Sequence, residues 1–257
     1  MKIIFIGDIF GQPGRRAVKS ILPEIKEKFA PDFIIANGEN AAHGAGITPK
    51  TAEEIFSSGI DVITGGNHSF DKRVMWEEWD KFPDLLRPLN FPEQVPGKGI
   101  TKIEKNGFTL AVVNLQGRVS LPPTSSPFEA IDKLSHTIKA DALIVDFHAE
   151  ATSEKIAFGY YADGKVSAVI GTHTHVQTND AKILENGTAY ITDVGMCGAI
   201  NSVIGLDREI ALKRFITLLP YGFKVGEGRA KCDFVYIEIN KNGKAEKIEP
   251  HTIAEKD

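Results

Sequence analysis

Two mixed sheets packed face to face, with helices outside them, make up the α/β fold that this sequence predicts. Three observations point there. Short apolar, β-branched runs alternate with helical patterns through most of the chain. Three Asn-Gly pairs stand between strand-like runs, the strongest short-range hairpin signal. At 257 residues, 42% hydrophobic and 25% charged, the chain is ordinary for a soluble globular protein and long enough to bury a large core without staples. A single domain over residues 1–257 is the expectation.

The elements come in this order. Residues 2–6 (KIIFI) form a buried strand, and a helix runs from Pro13 to about Phe29, with the proline in its first turn. Residues 33–36 (FIIA) form the second strand. Thr48 is an N-cap candidate for a helix to about Ser57. Residues 61–64 (DVIT) form the third strand, and a helix is expected around Val74–Lys81. Residues 100–105 and 108–113 flank Asn106-Gly107 as a hairpin. After a Pro/Ser-rich loop at 120–127 come a helix from Pro127 to about Lys139, a buried strand at 142–147, a helix at 152–161 and a strand at 166–170. The last third looks antiparallel, with hairpins at Asn186-Gly187 and Asn242-Gly243 and a helix at about 207–218 between them.

Composition excludes several classes. With 34 acidic and 30 basic residues the net charge is -4, which is not the basic footprint of a duplex-binding protein. A small anionic substrate stays open, because metal ions can supply positive charge locally. Residues 2–6 are too short an apolar run for a secretory signal, and no stretch of about 18 apolar residues exists to span a membrane. Cys197 and Cys232 read as two reduced thiols in a cytoplasmic protein.

The informative feature is the short polar segment at the end of each strand. Gly7-Asp8 ends the first, Asn37-Gly38-Glu39-Asn40 the second and Gly65-Gly66-Asn67-His68 the third. His148 comes directly after residues 142–147, and Gly171-Thr172-His173-Thr174-His175 after residues 166–170. Each alone has an ordinary reading: a cap, a tight turn, a satisfied core histidine. Together they place oxygen and nitrogen donors at five strand ends, where crevices form in α/β sheets. Asp8, Glu39, Asn67, His148, His173 and His175 suit two metal ions. A carboxylate such as Glu39 can bridge two metals, which together clamp the attacking and leaving oxygens of a displacement at phosphorus. Water bound there loses its proton near neutrality, so no side-chain nucleophile is required.

These residues, in this order, resemble the five motifs of the calcineurin-like metallophosphoesterases. The segments GDIFGQPGRR, NGENAAHGAGIT, GGNHSFDK, DFHAE, GTHTHVQTND and TDVGMCGAINSVIG resemble, more closely, the bacterial YmdB-type phosphodiesterases along essentially the whole chain. The resemblance implies a four-layer α/β/β/α sandwich. It implies that Asp8, Glu39, Asn40 and His175 hold one metal and that Glu39, Asn67, His148 and His173 hold the other. His68 would sit beside the phosphate, binding its oxygen or protonating the leaving group. Where the broad superfamily has Asp-x-His, this chain has Asp8-Ile9-Phe10, so Asn40 would replace the missing histidine; the bridge is Glu39 rather than Asp. Both changes add harder oxygen character, favouring iron, then manganese, with zinc possible. The implied activity is hydrolysis of small cyclic nucleotides (2′,3′-cyclic nucleotides or cAMP) by a metal-bridging hydroxide. Two alternatives keep the same site: a nucleotide-responsive regulatory protein, and a phosphomonoesterase or protein phosphatase. A homo-oligomer is plausible by base rate.

Phe10, His43 and Met196 lie in loops near the motifs as candidate pocket walls. Gly7, Gly11 and Gly14 are spaced GxxxGxxG, which is not the dinucleotide fingerprint. Gly97-Lys98-Gly99 lacks the phosphate-loop pattern. His136 and His251 read as solvated, and Cys197 as a packing residue without the setting of a nucleophile.

Overall fold

The computed structural model describes residues 1–256. The chain opens with β1 (Lys2–Ile6), β2 (Asp8–Ile9), α1 (Gly11–Phe29), β3 (Phe33–Asn37), α2 (Pro49–Ser57) and β4 (Val62–Thr64). Next come β5 (Ile100–Lys105), β6 (Phe108–Gln116), α3 (Pro127–Ser135), β7 (Ala142–His148), α4 (Thr152–Ala162) and β8 (Ala168–Thr172). The remainder comprises β9 (Lys182–Ile183), β10 (Ala189–Ile191), β11 (Met196–Ala199), β12 (Ser202–Val203), β13 (Leu206–Asp207), α5 (Arg208–Thr217), β14 (Ala230–Ile239) and β15 (Ala245–Ala254).

Two mixed sheets result. The first has the order β2-β11-β14-β1-β3-β4, with β15 on the other edge of β14; the second has the order β5-β6-β7-β8-β10-β9. In β1, Ile3 and Phe5 enter the core between the sheets, while Ile4 and Ile6 enter the core beneath α1 and α2. Burial on both faces explains why this strand is a continuous apolar run rather than an alternating one. A third core lies between the second sheet and α3 and α4, where Phe147 stacks on Phe158 at 4.1 Å. Three cores separate four layers, the α/β/β/α sandwich that the sequence predicts.

The first sheet forks at Gly7. β14 pairs with β1 over Phe234–Glu238, and along the same edge with β11 over Ala230–Cys232. β11 therefore wedges between β14 and β2, and Asp8 pairs with Met196. The backbones come so close there that a Cβ on Gly7 would lie 2.2 Å from the Gly195 carbonyl oxygen.

Several expectations need correction. The segment at Val74–Lys81 is not an α-helix but two 3₁₀ turns, Arg73–Met75 and Trp79–Lys81. The indole N–H groups of Trp76 and Trp79 donate to the carbonyls of Phe70 and Leu85, which ties the segment to backbone on either side of it. α3 stops at Ser135, four residues early, where the Thr137 hydroxyl competes for the Lys133 and Leu134 carbonyls. β10 is parallel to β8, so the last third is not purely antiparallel. Met196 lies in a strand rather than a loop. His251 is half-buried, stacked on Phe234 at 5.2 Å and beside Phe29 at 5.0 Å; burial lowers its pKa. No helix among the described residues is long and apolar enough to cross a membrane.

Replacing Gly7 by alanine should cost about 1–3 kcal/mol, the usual range for overpacking a filled site. Urea denaturation reads this directly, and an unchanged midpoint would mean that the fork has room to spare.

Candidate dinuclear metal centre

The carboxyl ends of five strands, drawn from both sheets, meet in one crevice. Asp8 sits on β2, and Glu39 and Asn40 lie in the turn after β3. Asn67 and His68 lie in the turn after β4, His148 is the last residue of β7, and His173 and His175 come after β8. Local sequence permits this crowding. A Cβ on Gly66 would lie 2.3 Å from Glu39 Oε2 and 2.4 Å from His148 Cδ2, so only glycine fits. His173 and His175 adopt positive φ values of 101° and 66°, which turns both imidazoles back toward the sheets.

Two clusters share one carboxylate. Around the first point, Asn40 Nδ2 lies 3.5 Å from Asp8 Oδ1, 3.3 Å from Glu39 Oε1 and 3.2 Å from His175 Nε2. Around the second, His148 Nε2 lies 3.0 Å from Glu39 Oε1, 3.1 Å from Asn67 Oδ1 and 3.0 Å from His173 Nδ1. Glu39, His148 and His173 each offer a donor atom within 4.8 Å of the others. Glu39 belongs to both clusters, and its other oxygen accepts the His68 backbone N–H at 2.8 Å.

The residues behind these donors fix their direction. Asp146 accepts from Thr172 Oγ1 at 2.7 Å, from Asn37 Nδ2 at 3.0 Å and from the Thr64 hydroxyl. Because the Thr172 proton is committed to Asp146, its oxygen is left to accept from His148 Nδ1 at 2.8 Å, which turns His148 Nε2 inward. His175 Nδ1 faces the Ile204 carbonyl at 2.8 Å, and His173 Nε2 faces the Glu150 carboxylate at 3.0 Å. His68 Nδ1 lies 2.7 Å from Asp71 Oδ2, leaving Nε2 available to the crevice. Lys155, fully buried, donates to the Thr172 carbonyl at 2.6 Å and to Asp193 at 2.7 Å. Asp193 in turn accepts the Thr174 N–H, so this ion pair pins the turn that carries both histidines.

The charge balance fits a cation. Burial opposes ionisation of Asp8, yet His175 and His148 hold its carboxyl well below the ordinary range. Burial likewise opposes charge on Glu39, but His148 lowers it. Burial disfavours a proton on His148, but Glu39, Asp8 and Asp146 outweigh that and raise it to about 9. Burial and the neighbouring His148 push His173 down to about 4. Among the described residues, no Lys or Arg side chain touches Asp8 or Glu39. The pocket thus holds two buried carboxylates that borrow positive charge from histidine, and imidazole nitrogens that face each other with their outer nitrogens tied to acceptors. That donor set, mixed carboxylate, imidazole and amide, suits divalent ions. Turning the Asn40 amide about its last bond places its oxygen where three acceptors already converge.

A cavity of about 360 Å³ opens over the centre, reaching Glu39, Asn40, His68, His173 and His175. Phe10 and His43 also line it. Phe10 packs edge-on against His175 at 5.4 Å. Met196 is buried within β11 and does not line the cavity. Cys197 and Cys232 are free and buried, sulfur to sulfur 3.0 Å apart, and burial raises the Cys197 thiol pKa. Sequence reading missed Asp146, Lys155, Asp193, Glu150 and Asp71. Asp71 alone had a signal, three residues after His68.

The sequence model of a family described as YmdB-like protein matches residues 4–251. A 2′,3′-cyclic-nucleotide 2′-phosphodiesterase from Bacillus subtilis (strain 168) is 53% identical over 252 residues, covering 97% of this chain and 96% of that protein. The crystal structure of a hypothetical protein from Thermus thermophilus superposes with a TM-score of 0.94 at 41% identity, over the whole of both chains. That of a novel phosphatase from Mycoplasma pneumoniae gives 0.94 at 38% identity, covering 100% of this chain and 94% of that one.

Glu39→Gln should lose metal at both positions, whereas His175→Ala should lose it at one; elemental analysis of the purified variants reads the difference. Loss of a single ion in Glu39→Gln would defeat the bridging geometry. Lys155→Met leaves Asp193 buried and unpaired, and should destabilise the fold by about 3–5 kcal/mol in chemical denaturation.

Proposed function

Because the chain belongs to the YmdB-like protein family, we propose that it hydrolyses 2′,3′-cyclic nucleotides with two metal ions in the crevice. At the coarser level it is an enzyme of the phosphoesterase class. The observation that carries the finer reading is the pair of donor clusters joined by Glu39, with the His68–Asp71 pair beside them. Asp8, Glu39, Asn40 and His175 would hold one ion, and Glu39, Asn67, His148 and His173 the other. Iron is favoured, then manganese, then zinc, because three carboxylate or amide groups surround the first position. When bound, such a pair activates water as the nucleophile and offsets the charge of the phosphate.

The chain's own residues supply the rest. Asp71 orients His68 through Nδ1. In its imidazolium form His68 then presents Nε2–H to the leaving oxygen. Water adds to phosphorus, the bond from phosphorus to the ribose 2′ oxygen breaks, and the His68 proton passes to that oxygen. The products are a 3′-phosphate and a free 2′ hydroxyl, and the proton lost by the water restores His68. The outward hydrogen bonds of His148, His173 and His175 keep their ligating nitrogens directed inward throughout. A small nucleotide phosphodiester matches the size of the cavity, which lies at the lower end of the roughly 300–1,000 Å³ typical of small-molecule sites. cAMP is a second substrate to include in any panel.

His68→Ala should lower kcat for adenosine 2′,3′-cyclic phosphate by about 10²–10⁴ while metal content stays at two ions per chain. Wild-type protein loaded with iron or manganese that turned over no cyclic nucleotide would sink the assignment. Preferred turnover of monoesters over diesters would redirect it to a phosphomonoesterase.

A further inference from the structure

The cavity over the metal centre is one-sided. Its polar side is the donor set with His68 and Glu150, whereas Phe10, Ile204, Leu206 and Phe223 make the rest largely apolar. The apolar side is built as a unit. β12 and β13 form a hairpin in which Val203 pairs with Leu206, leaving only Ile204 and Gly205 in the turn. Both have positive φ, 48° and 98°, as the tightest hairpin turn requires. Glycine meets that demand freely, but a β-branched residue there is strained. The Ile204 carbonyl accepts from His175, and its side chain, 47% exposed, borders the cavity. Strain concentrated in one residue that both orients a ligand and lines the pocket marks a functional wall.

Phe223 completes this wall. The Asp207 N–H donates to the Lys224 carbonyl at 2.8 Å, and the Gly226 N–H to the Gly205 carbonyl at 2.8 Å, so the segment after Phe223 is laced to the hairpin. The Arg214 guanidinium lies 4.0 Å from the Phe223 ring centroid and covers one face. The ring is nevertheless 70% exposed, and it borders both this cavity and an outer one of about 570 Å³; His43 also borders both. A large aromatic ring, backed on one face by a cation and open on the other, is a stacking platform rather than a core residue.

We propose that the junction of the two cavities, at Phe223, Ile204, Leu206 and His43, is a nucleobase subsite in which the base stacks on the open face of Phe223 while the phosphate occupies the metal centre. The inference rests on the nucleotide reading of the site above. The apolar residues recognise an aromatic plane, not a pattern of donors and acceptors, so the subsite takes any base and holds the larger purines more tightly than pyrimidines.

The test compares binding of adenosine 3′-monophosphate, cytidine 3′-monophosphate and inorganic phosphate to the metal-loaded protein by calorimetry. Phe223→Ala should weaken adenosine 3′-monophosphate by about 5- to 100-fold, the range of one base-to-aromatic stacking contact, while inorganic phosphate keeps its affinity and Phe223→Tyr restores nucleotide binding. Equal loss for nucleotide and phosphate would mean a structural role and overturn the subsite, as would no loss at all. Pyrimidine binding tighter than purine would overturn the stacking assignment. Hydrolysis measured on the same samples separates the two readings: turnover with no selective loss removes the subsite alone, and selective loss without turnover removes the catalytic reading alone.

Discussion

One buried carboxylate, Asp146, ties the two sheets together at the place where the site forms. It collects hydrogen bonds from Asn37 and Thr64 at the ends of β3 and β4 in the first sheet, and from Thr172 at the end of β8 in the second. It belongs to β7 itself, two residues before His148. Four strand ends from both sheets thus converge on a single side chain. Burial pushes that carboxyl up to about 6, so the neighbouring hydroxyls and amide must be held close for it to remain charged. The spacing between the sheets, set elsewhere by side chains such as Phe5, Val112 and Ile144, is closed here by polar contacts instead. With the sheets locked at this distance, Glu39 from the first can reach His148 from the second.

The donors themselves are costly to hold. His173 and His175 take left-handed conformations, and Ile204 does so beside them. Buried ion pairs add little net stability, but breaking one is expensive, and Lys155 with Asp193 uses that asymmetry to hold the histidine turn. The arrangement stores strain at the site and offsets it through a pair placed one layer back. Such preorganisation would spare the candidate donors from having to be ordered on binding a metal.

The strand framework was legible because buried parallel strands write themselves as nearly continuous apolar runs, and KIIFI, FIIA and ALIVDF are such runs. The candidate donor positions were legible for the same reason: the polar residue that ends each run stands out. The residues behind them were not. Asp146 sits inside an apolar run, and nothing local distinguishes it from a tolerated polar residue. Lys155 lies on α4 and reads as a solvated helix lysine; its burial depends on contacts with a segment nearly forty positions away. β11, β12 and β13 are two to four residues long and lack alternation, so the fork at Gly7 and the Ile204 hairpin left no periodic trace. The helix expected at Val74–Lys81 failed because its tryptophans bond to backbone outside the segment.

The fork at Gly7 joins segments that lie far apart in the chain. Met1 bonds to Ile239 across 238 positions, and the Gly7 N–H donates to the Asp233 carbonyl. The backbone of β2, which carries Asp8, is paired to β11, and β11 to β14. Residues 1–175 carry all seven candidate donors, yet the strand that holds Asp8 finds its pairing partner, β11, only beyond them. The candidate centre is thus a long-range feature of the fold, built on contacts of the kind that form more slowly than local ones.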